Sequence, residues 1–454
     1  MNKEEYLTVL KDQIRDKHAK EFVSTEIRDH IEDQAEGYIN DGMDSEQAVI
    51  KAVEEMGDPV TVGAGLDRIH RPHMEWGFLI YVLFISVLSI AVQYSVLKSL
   101  EPGFERTFGV HVGQILIGLV VMLVVYRIDY TVLLGRSRLI GIAFLVLVTA
   151  LTGLFGYRVN GANMWIRFGS ATASNHALMV LFLPIFAGIL YEYRGKKAAV
   201  PKIILWMILP VLCEFFWGFL SLPFIAFILL SEGVLFILAL RKGWYNVNLT
   251  YLIAGFGTVF AIIIAFAGFS VWKRGTYQNS RFRVWLAHLG IGELSVSDNQ
   301  GVNYINYKLS EAFGASSLIS GNDNAVSIMK DLPSPRNDLI LGSIAANCGK
   351  LAMIGIIICL LVLSVYVFGI SLKQKNSLGY IIGCSCGLVI AIQSISNILI
   401  AFGLLPMTSS VLPFFTSGMS YMVVDYALLG LILSIYRYKD IREEKTKVTY
   451  DYVA

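Results

Sequence analysis

The sequence predicts an all-α polytopic membrane protein of about ten transmembrane helices, preceded by a small N-terminal cytoplasmic helical domain, and three observations carry that reading. Of its 454 residues, 55% are hydrophobic and only 16% charged, with a mean hydropathy of +0.60, a balance suited to a chain whose surroundings are lipid rather than water. Apolar runs long enough to cross about 30 Å of hydrocarbon, which takes about 20 helical residues, recur from residue 77 onward. Basic residues gather in alternate connections between those runs, the asymmetry that marks cytoplasmic loops.

Residues 1–75 come first and differ in kind. They carry 18 Asp and Glu against 9 Lys and Arg, a net charge of −9, while the rest of the chain is basic. Tyr6, Leu7, Leu10 and Ile14, then Ile27, Ile31, Ala35 and Tyr38, recur at helical spacing, so short amphipathic helices are expected. The block from Asp44 to Gly57 opens on an N-cap residue and stops before Pro59, giving a three-helix module in all. It has no charged-then-apolar pattern with a cleavage site and is not a signal peptide.

Ten spans follow, at 77–97, 109–126, 139–157, 177–191, 203–220, 222–240, 249–271, 340–371, 380–404 and 411–436. Connections carrying Arg127, Arg136 and Arg138, then Arg194, Lys196, Lys197 and Lys202, then Arg241 and Lys242, then Lys373 and Lys375 fall on alternate turns. One topology satisfies them all, with a membrane domain over 76–440, a cytoplasmic tail over 441–454, both termini cytoplasmic, and the long loop 271–338 outside the plasma membrane.

Several chemistries are not expected. The five cysteines are odd in number and lie in or beside spans, and four of the seven histidines lie in the prefix, so no disulfide framework and no metal site is called. No phosphate-cradling Gly-rich loop is present, against an ATP-driven pump, and no nucleic-acid partner is expected. Ionisable groups at membrane depth mark functional sites by default. Glu214, towards the middle of its span, is the foremost, with Arg167 as a candidate partner. Glu232 and Asp425 rank behind it, Glu232 with Arg241 or Lys242 not far away. Asp338 stands where the polar loop re-enters an apolar segment, a place that suits either a catalytic carboxylate or a helix cap.

Four blocks carry a family resemblance: "VNGANMWIRFGS" with Asn160, Gly161, Trp165 and Gly169; "LPSPRNDLILGSIAANCG" from Pro333 through Asp338 to Gly349; "QSISNILIAFGLLP" with Gln393 and Asn397; and "LPFFTSGMS" with Pro413, Phe414 and Gly418. Together with the ten spans and the large outer loop they resemble the SEDS family, the RodA, FtsW and SpoVE type of cell-wall protein, over most of 77–436. The prefix, ending "AVIKAVEEMGDP", resembles helical modules ahead of bacterial permease-like and sensor-like membrane proteins, which implies a cytoplasmic protein partner.

What the SEDS resemblance implies is a peptidoglycan glycosyltransferase that polymerises lipid II, in elongation, division or sporulation, beside a class B penicillin-binding protein. Asp338 takes the position of the family's essential aspartate, and a carboxylate there suits a general base on a sugar hydroxyl. The leaving pyrophosphate calls for cations: Arg281, Arg283, Lys308 and Arg336 on the outer loop, with Trp165 and Arg167 beside them, and a divalent cation, Mg or Mn, able to share the charge. The chain also departs from the pattern. Where the family continues to a Gln-Pro-Ser-Glu element with a Lys three residues on, this chain has Ser174, Asn175, His176 and Ala177, then Val180. The second function class, a non-catalytic carrier of the lipid-linked precursor or a regulatory scaffold, therefore stays open.

Overall fold

The computed structural model describes residues 1–15, 17–70, 74–159, 162–169, 171–216, 222–245, 257–258, 261, 284–287, 290–291 and 302–439. Arg281, Arg283, the tail at 441–454 and all of the expected span at 249–271 except residues 257–258 and 261 lie outside the described residues.

The prefix forms four helices rather than three: α1 (Lys3–Gln13), α2 (Lys17–Asn40), α3 (Ser45–Glu55) and α4 (Pro59–His70). Its first and third are capped as the sequence demands. Asn2 and Glu5 close a reciprocal capping box on α1, and Asp44 accepts from Glu46 N on α3, satisfying amides that have no intrahelical partner. The fourth helix exists because Pro59 does not end the module. Proline is well tolerated in a first turn, where its missing N–H costs nothing, and Asp58 caps that turn through Thr61 N at 2.9 Å.

Among the described residues, nine helices are long and apolar enough to span a membrane, and the chain is a multi-pass membrane protein. They comprise α5 (Trp76–Leu100), α6 (Glu105–Arg127), α7 (Ser137–Phe155), the pair α8 (Asn175–Val180) and α9 (Phe182–Tyr193), α10 (Ala199–Phe216) and α11 (Leu222–Arg241). After α12 (Val302–Ala315), α13 (Asp323–Lys330) and α14 (Ile340–Cys348) come the last three, α15 (Lys350–Leu372), α16 (Ser377–Ala401) and α17 (Met419–Arg437). The α8–α9 pair and α16 are buried over most of their surface, whereas α6 and α7 expose most of theirs, as expected of central and lipid-facing helices. The α17 helix lies close along α6 because Gly430 presents no side chain. A Cβ there would stand 2.5 Å from Met122 O, the small-residue approach that helices use in lipid.

Two expected spans need correction. The run 340–371 is not one helix. At about 1.5 Å per residue a single helix over it would overshoot the hydrocarbon core of about 30 Å by more than half, and Gly349, at φ 90°, divides it into the buried α14 and the spanning α15. The expected start at 411 is also early: α17 begins at Met419, and residues 405–418 form an irregular segment instead. Irregular backbone is tolerated at depth only where protein groups satisfy it, and several do so here. The sequence also conceals a small antiparallel sheet in order β1-β2-β3, made of β1 (Gly156–Val159), β2 (Ala162–Phe168) and β3 (Ala171–Ser174). The register runs Val159↔Ala162 and Arg158↔Asn163 and then shifts by one residue to Tyr157↔Trp165, a bulge in the first pair of strands.

Candidate functional site

Asp338 lies in the turn that leads into α14. The capping alternative fails, because the N-cap residue is Leu339 and no side chain caps that helix. The half-buried Asp338 carboxylate turns instead to the segment between α16 and α17. Its Oδ1 accepts from Ser409 Oγ at 2.9 Å and from Ser410 N at 3.2 Å. Asn397 of α16 ties the same two elements together, donating to Asp338 O at 3.4 Å and to Ser410 Oγ at 2.8 Å. With its amide assigned from the hydrogen-bond network, Asn337 donates to Ser417 O at 3.1 Å. The carboxylate is therefore carried on one segment and oriented by another about 70 residues away in sequence, the kind of support that fixes a functional group's geometry.

Three of the cations expected around it have partners of their own. Arg336 Nη1 meets Glu101 Oε1 at 2.5 Å, each side chain 34% exposed, so a carboxylate from the connection between α5 and α6 already occupies its fork. Lys308 Nζ donates to Glu311 Oε2 at 2.8 Å, and that bond, with the Glu311 charge, holds the ammonium above its usual range. Arg167 is exposed on β2 with its guanidinium 5.1 Å from the centroid of the Tyr157 ring. Trp165, half-buried, stands opposite Tyr157 and Ser174 in the sheet register.

Glu214 is buried, but its base is not Arg167. Asn175 Nδ2 donates to Glu214 Oε1 at 2.9 Å and His176 Nε2 stands 3.6 Å from Oε2, while the His176 ring stacks on Phe224 at 3.9 Å between centroids. Residues 175 and 176, singled out as a departure from the family pattern, are thus the ones that receive this acid. Ser174 N bonds Ser420 Oγ at 2.9 Å, joining the sheet to the start of α17. Among the described residues neither oxygen of Glu232 has a hydrogen bond and no ion pair to Arg241 or Lys242 is formed. Also among the described residues, no group of three His, Cys, Asp or Glu side chains is placed to hold a metal ion.

Sequence reasoning passed over a polar row on α5. Ser86, Ser89 and Gln93 recur at steps of three and four, one face of a helix, and all are buried. Ser86 Oγ and Tyr426 Oη are 2.5 Å apart, Ser89 Oγ donates to Phe414 O at 2.6 Å, and Gln93 Nε2 donates to Phe415 O at 2.5 Å. The last two satisfy carbonyls of the irregular backbone of 405–418. The signal was available: three polar side chains on one face of an apolar span imply an internal partner.

Residues 73–441 match the model of the FtsW, RodA and SpoVE family, described as cell cycle protein. Among similar curated proteins is a "Probable peptidoglycan glycosyltransferase FtsW" of Borreliella burgdorferi, 24% identical over 79% of this chain and 95% of its own length. One of the same name from Enterococcus hirae is 25% identical over 72% of this chain and 82% of its own. In overall fold the chain is similar to a chain of a peptidoglycan synthase complex described as coordinating polymerization and crosslinking, with a TM-score of 0.61, 18% identity, and 80% of this chain and 98% of that one covered. The Thermus thermophilus rod shape determining protein RodA gives a TM-score of 0.56 at 16% identity, over 81% of this chain and 97% of its own. At these identities the two structures bear on the fold alone.

Proposed function

We propose, from the premise that the chain belongs to the FtsW, RodA and SpoVE family, that it is a peptidoglycan glycosyltransferase polymerising lipid II at the outer face of the plasma membrane. The termini and the prefix are then cytoplasmic, and the prefix is free to meet a cytoplasmic protein. The observation that carries the reading is the half-buried Asp338 carboxylate, held through Oδ1 by Ser409 and Ser410. In the reaction an acceptor sugar hydroxyl attacks the anomeric carbon of the donor. The new C–O bond forms as the bond to pyrophosphate breaks, and the hydroxyl proton passes to Asp338 as general base. Base catalysis of this kind contributes on the order of 10² to 10⁴ in rate.

The leaving group takes two negative charges or more with it, and fixed cations lower the cost of that development. Arg336 is the described cation closest in sequence to Asp338 and serves this role by exchanging Glu101 for pyrophosphate oxygens, whose geometry a guanidinium fork matches. We assign Arg281, Arg283, Lys308, Trp165 and Arg167 to the same substrate, as the family resemblance implies. Mg or Mn belongs on the substrate's phosphates rather than in a protein cage, as is usual for magnesium. The partner we assign is a class B penicillin-binding protein, which would crosslink the strand as it emerges.

The test is polymerisation of fluorescent lipid II by the purified chain, with and without such a partner and with and without Mg. Polymer from the wild type that vanishes in Asp338→Ala supports the enzyme. No polymer from folded protein under any of these conditions would move the assignment to a carrier or scaffold.

A further inference from the structure

The irregular segment 405–418 does two things at once. Its first half orients Asp338 through Ser409 and Ser410, and its second half is anchored by buried side chains of the first two spans. The anchor that reaches across from α6 is His111, 1% exposed. Its Nε2 lies 3.1 Å from Ser89 Oγ and its Nδ1 lies 3.4 Å from Ser417 Oγ. Ser89 Oγ donates to Phe414 O at 2.6 Å, where the chain holds φ 67°. A left-handed phenylalanine is strained and persists only where surrounding bonds over-determine it. From Ser417 the path to the carboxylate is short, since the Ser417 carbonyl accepts from Asn337 at 3.1 Å, and Asn337 precedes Asp338.

We propose that His111 is a positioning residue for Asp338. Its imidazole offers a nitrogen to each of two hydroxyls, one on α5 and one on the segment, and so sets how far 414–417 sits from the first span. The position of Ser417 O fixes Asn337, while the register of the same segment fixes Ser409 and Ser410 against the carboxylate. His111 touches no substrate, and its effect on rate runs through the Asp338 geometry, where small misplacements of reacting groups cost disproportionately. The inference rests on the reading of Asp338 as base.

Two measurements on the full chain test it and separate its failure from that of the base assignment. The first is hydrogen exchange in His111→Leu. Amides of 409–417 should exchange at least tenfold faster than in the wild type, with those of α6 away from residue 111 unchanged. The second is lipid II polymerisation with the class B partner. His111→Leu should lower kcat about tenfold with KM within about twofold, since only orientation is lost. His111→Gln, whose amide can serve both hydroxyls, should recover most of it. Ser417→Ala added to His111→Leu should cost less than the sum of the two alone, as for residues in one network. Unchanged exchange at 409–417 in His111→Leu overturns the proposal whether or not the protein polymerises. So does wild-type kcat in that variant. Activity retained by Asp338→Ala would instead sink the base assignment, leaving the exchange result to stand as a statement about the segment alone.

Discussion

If Arg336 must release Glu101 to take a pyrophosphate, then Glu101→Gln should tighten substrate binding. The pair is close, at 2.5 Å, but both side chains are about one-third exposed, so water and salt screen it and its worth is that of a surface pair, about 0.5–1 kcal/mol. The wild type loses that much when substrate displaces Glu101, and the variant loses only the weaker contact of a neutral amide. At 25 °C the difference corresponds to a two- to fivefold lower KM for lipid II, with kcat little changed because the arginine's fork is intact. The gain should shrink between about 50 mM and 300 mM salt, as the screening length shortens towards the size of the pair's surroundings. Steady-state polymerisation of fluorescent lipid II over a series of salt concentrations reads both effects. A KM equal to or above that of the wild type at low salt would refute the reasoning, and would mean that Arg336 serves to hold the connection after α5 in place rather than to bind substrate.

Asp338→Asn keeps an oxygen to accept from Ser409 and Ser410, so its unfolding temperature should stay within about 2 °C of the wild type while polymer formation falls by about 10² or more, the scale of a lost general base. Gly349→Ala places a Cβ 2.7 Å from the Ile319 carbonyl carbon and 2.9 Å from Leu318 O, at a φ of 90°. Backbone cannot step aside as a flexible side chain can, so a loss of about 2–4 kcal/mol is expected, seen as a lower unfolding temperature in detergent. Glu214→Ala removes the acceptor of the Asn175 amide and the carboxylate 3.6 Å from His176 Nε2 and should cost about 1–3 kcal/mol, because a buried donor is left without its partner. Glu214→Gln, which keeps an acceptor for Asn175, should cost less in the same unfolding assay.

Most of the spans were legible because an apolar run of about 20 residues has one favourable state in lipid, a helix that satisfies its own backbone. The acidic prefix was legible from charge and periodicity, yet its fourth helix was not, since Pro59 reads equally as a stop and as a first turn. The run at 340–371 hid its break because every residue around Gly349 suits a helix. What divides it is the backbone at Leu318 and Ile319, brought there by the fold. Asp338 could be picked out by the boundary it occupies and the motif around it, whereas whether it caps a helix or faces a partner depended on Ser409 and Ser410. Glu214 announced itself as an acid in a span, but its pairing with His176 rather than Arg167 depended on which helices became neighbours.

The sequence by itself marked most of the segments long and apolar enough to cross a membrane, because that follows from local hydrophobicity summed along each segment. It also supplied the carboxylates and cations that chemistry at a phosphate-bearing substrate would use. Only the tertiary structure decided which of those groups meet. Hydrogen bonds and ion pairs act over about 3–4 Å, and residues as far apart in the chain as Ser89 and Phe414 come within that range only once the helices have packed.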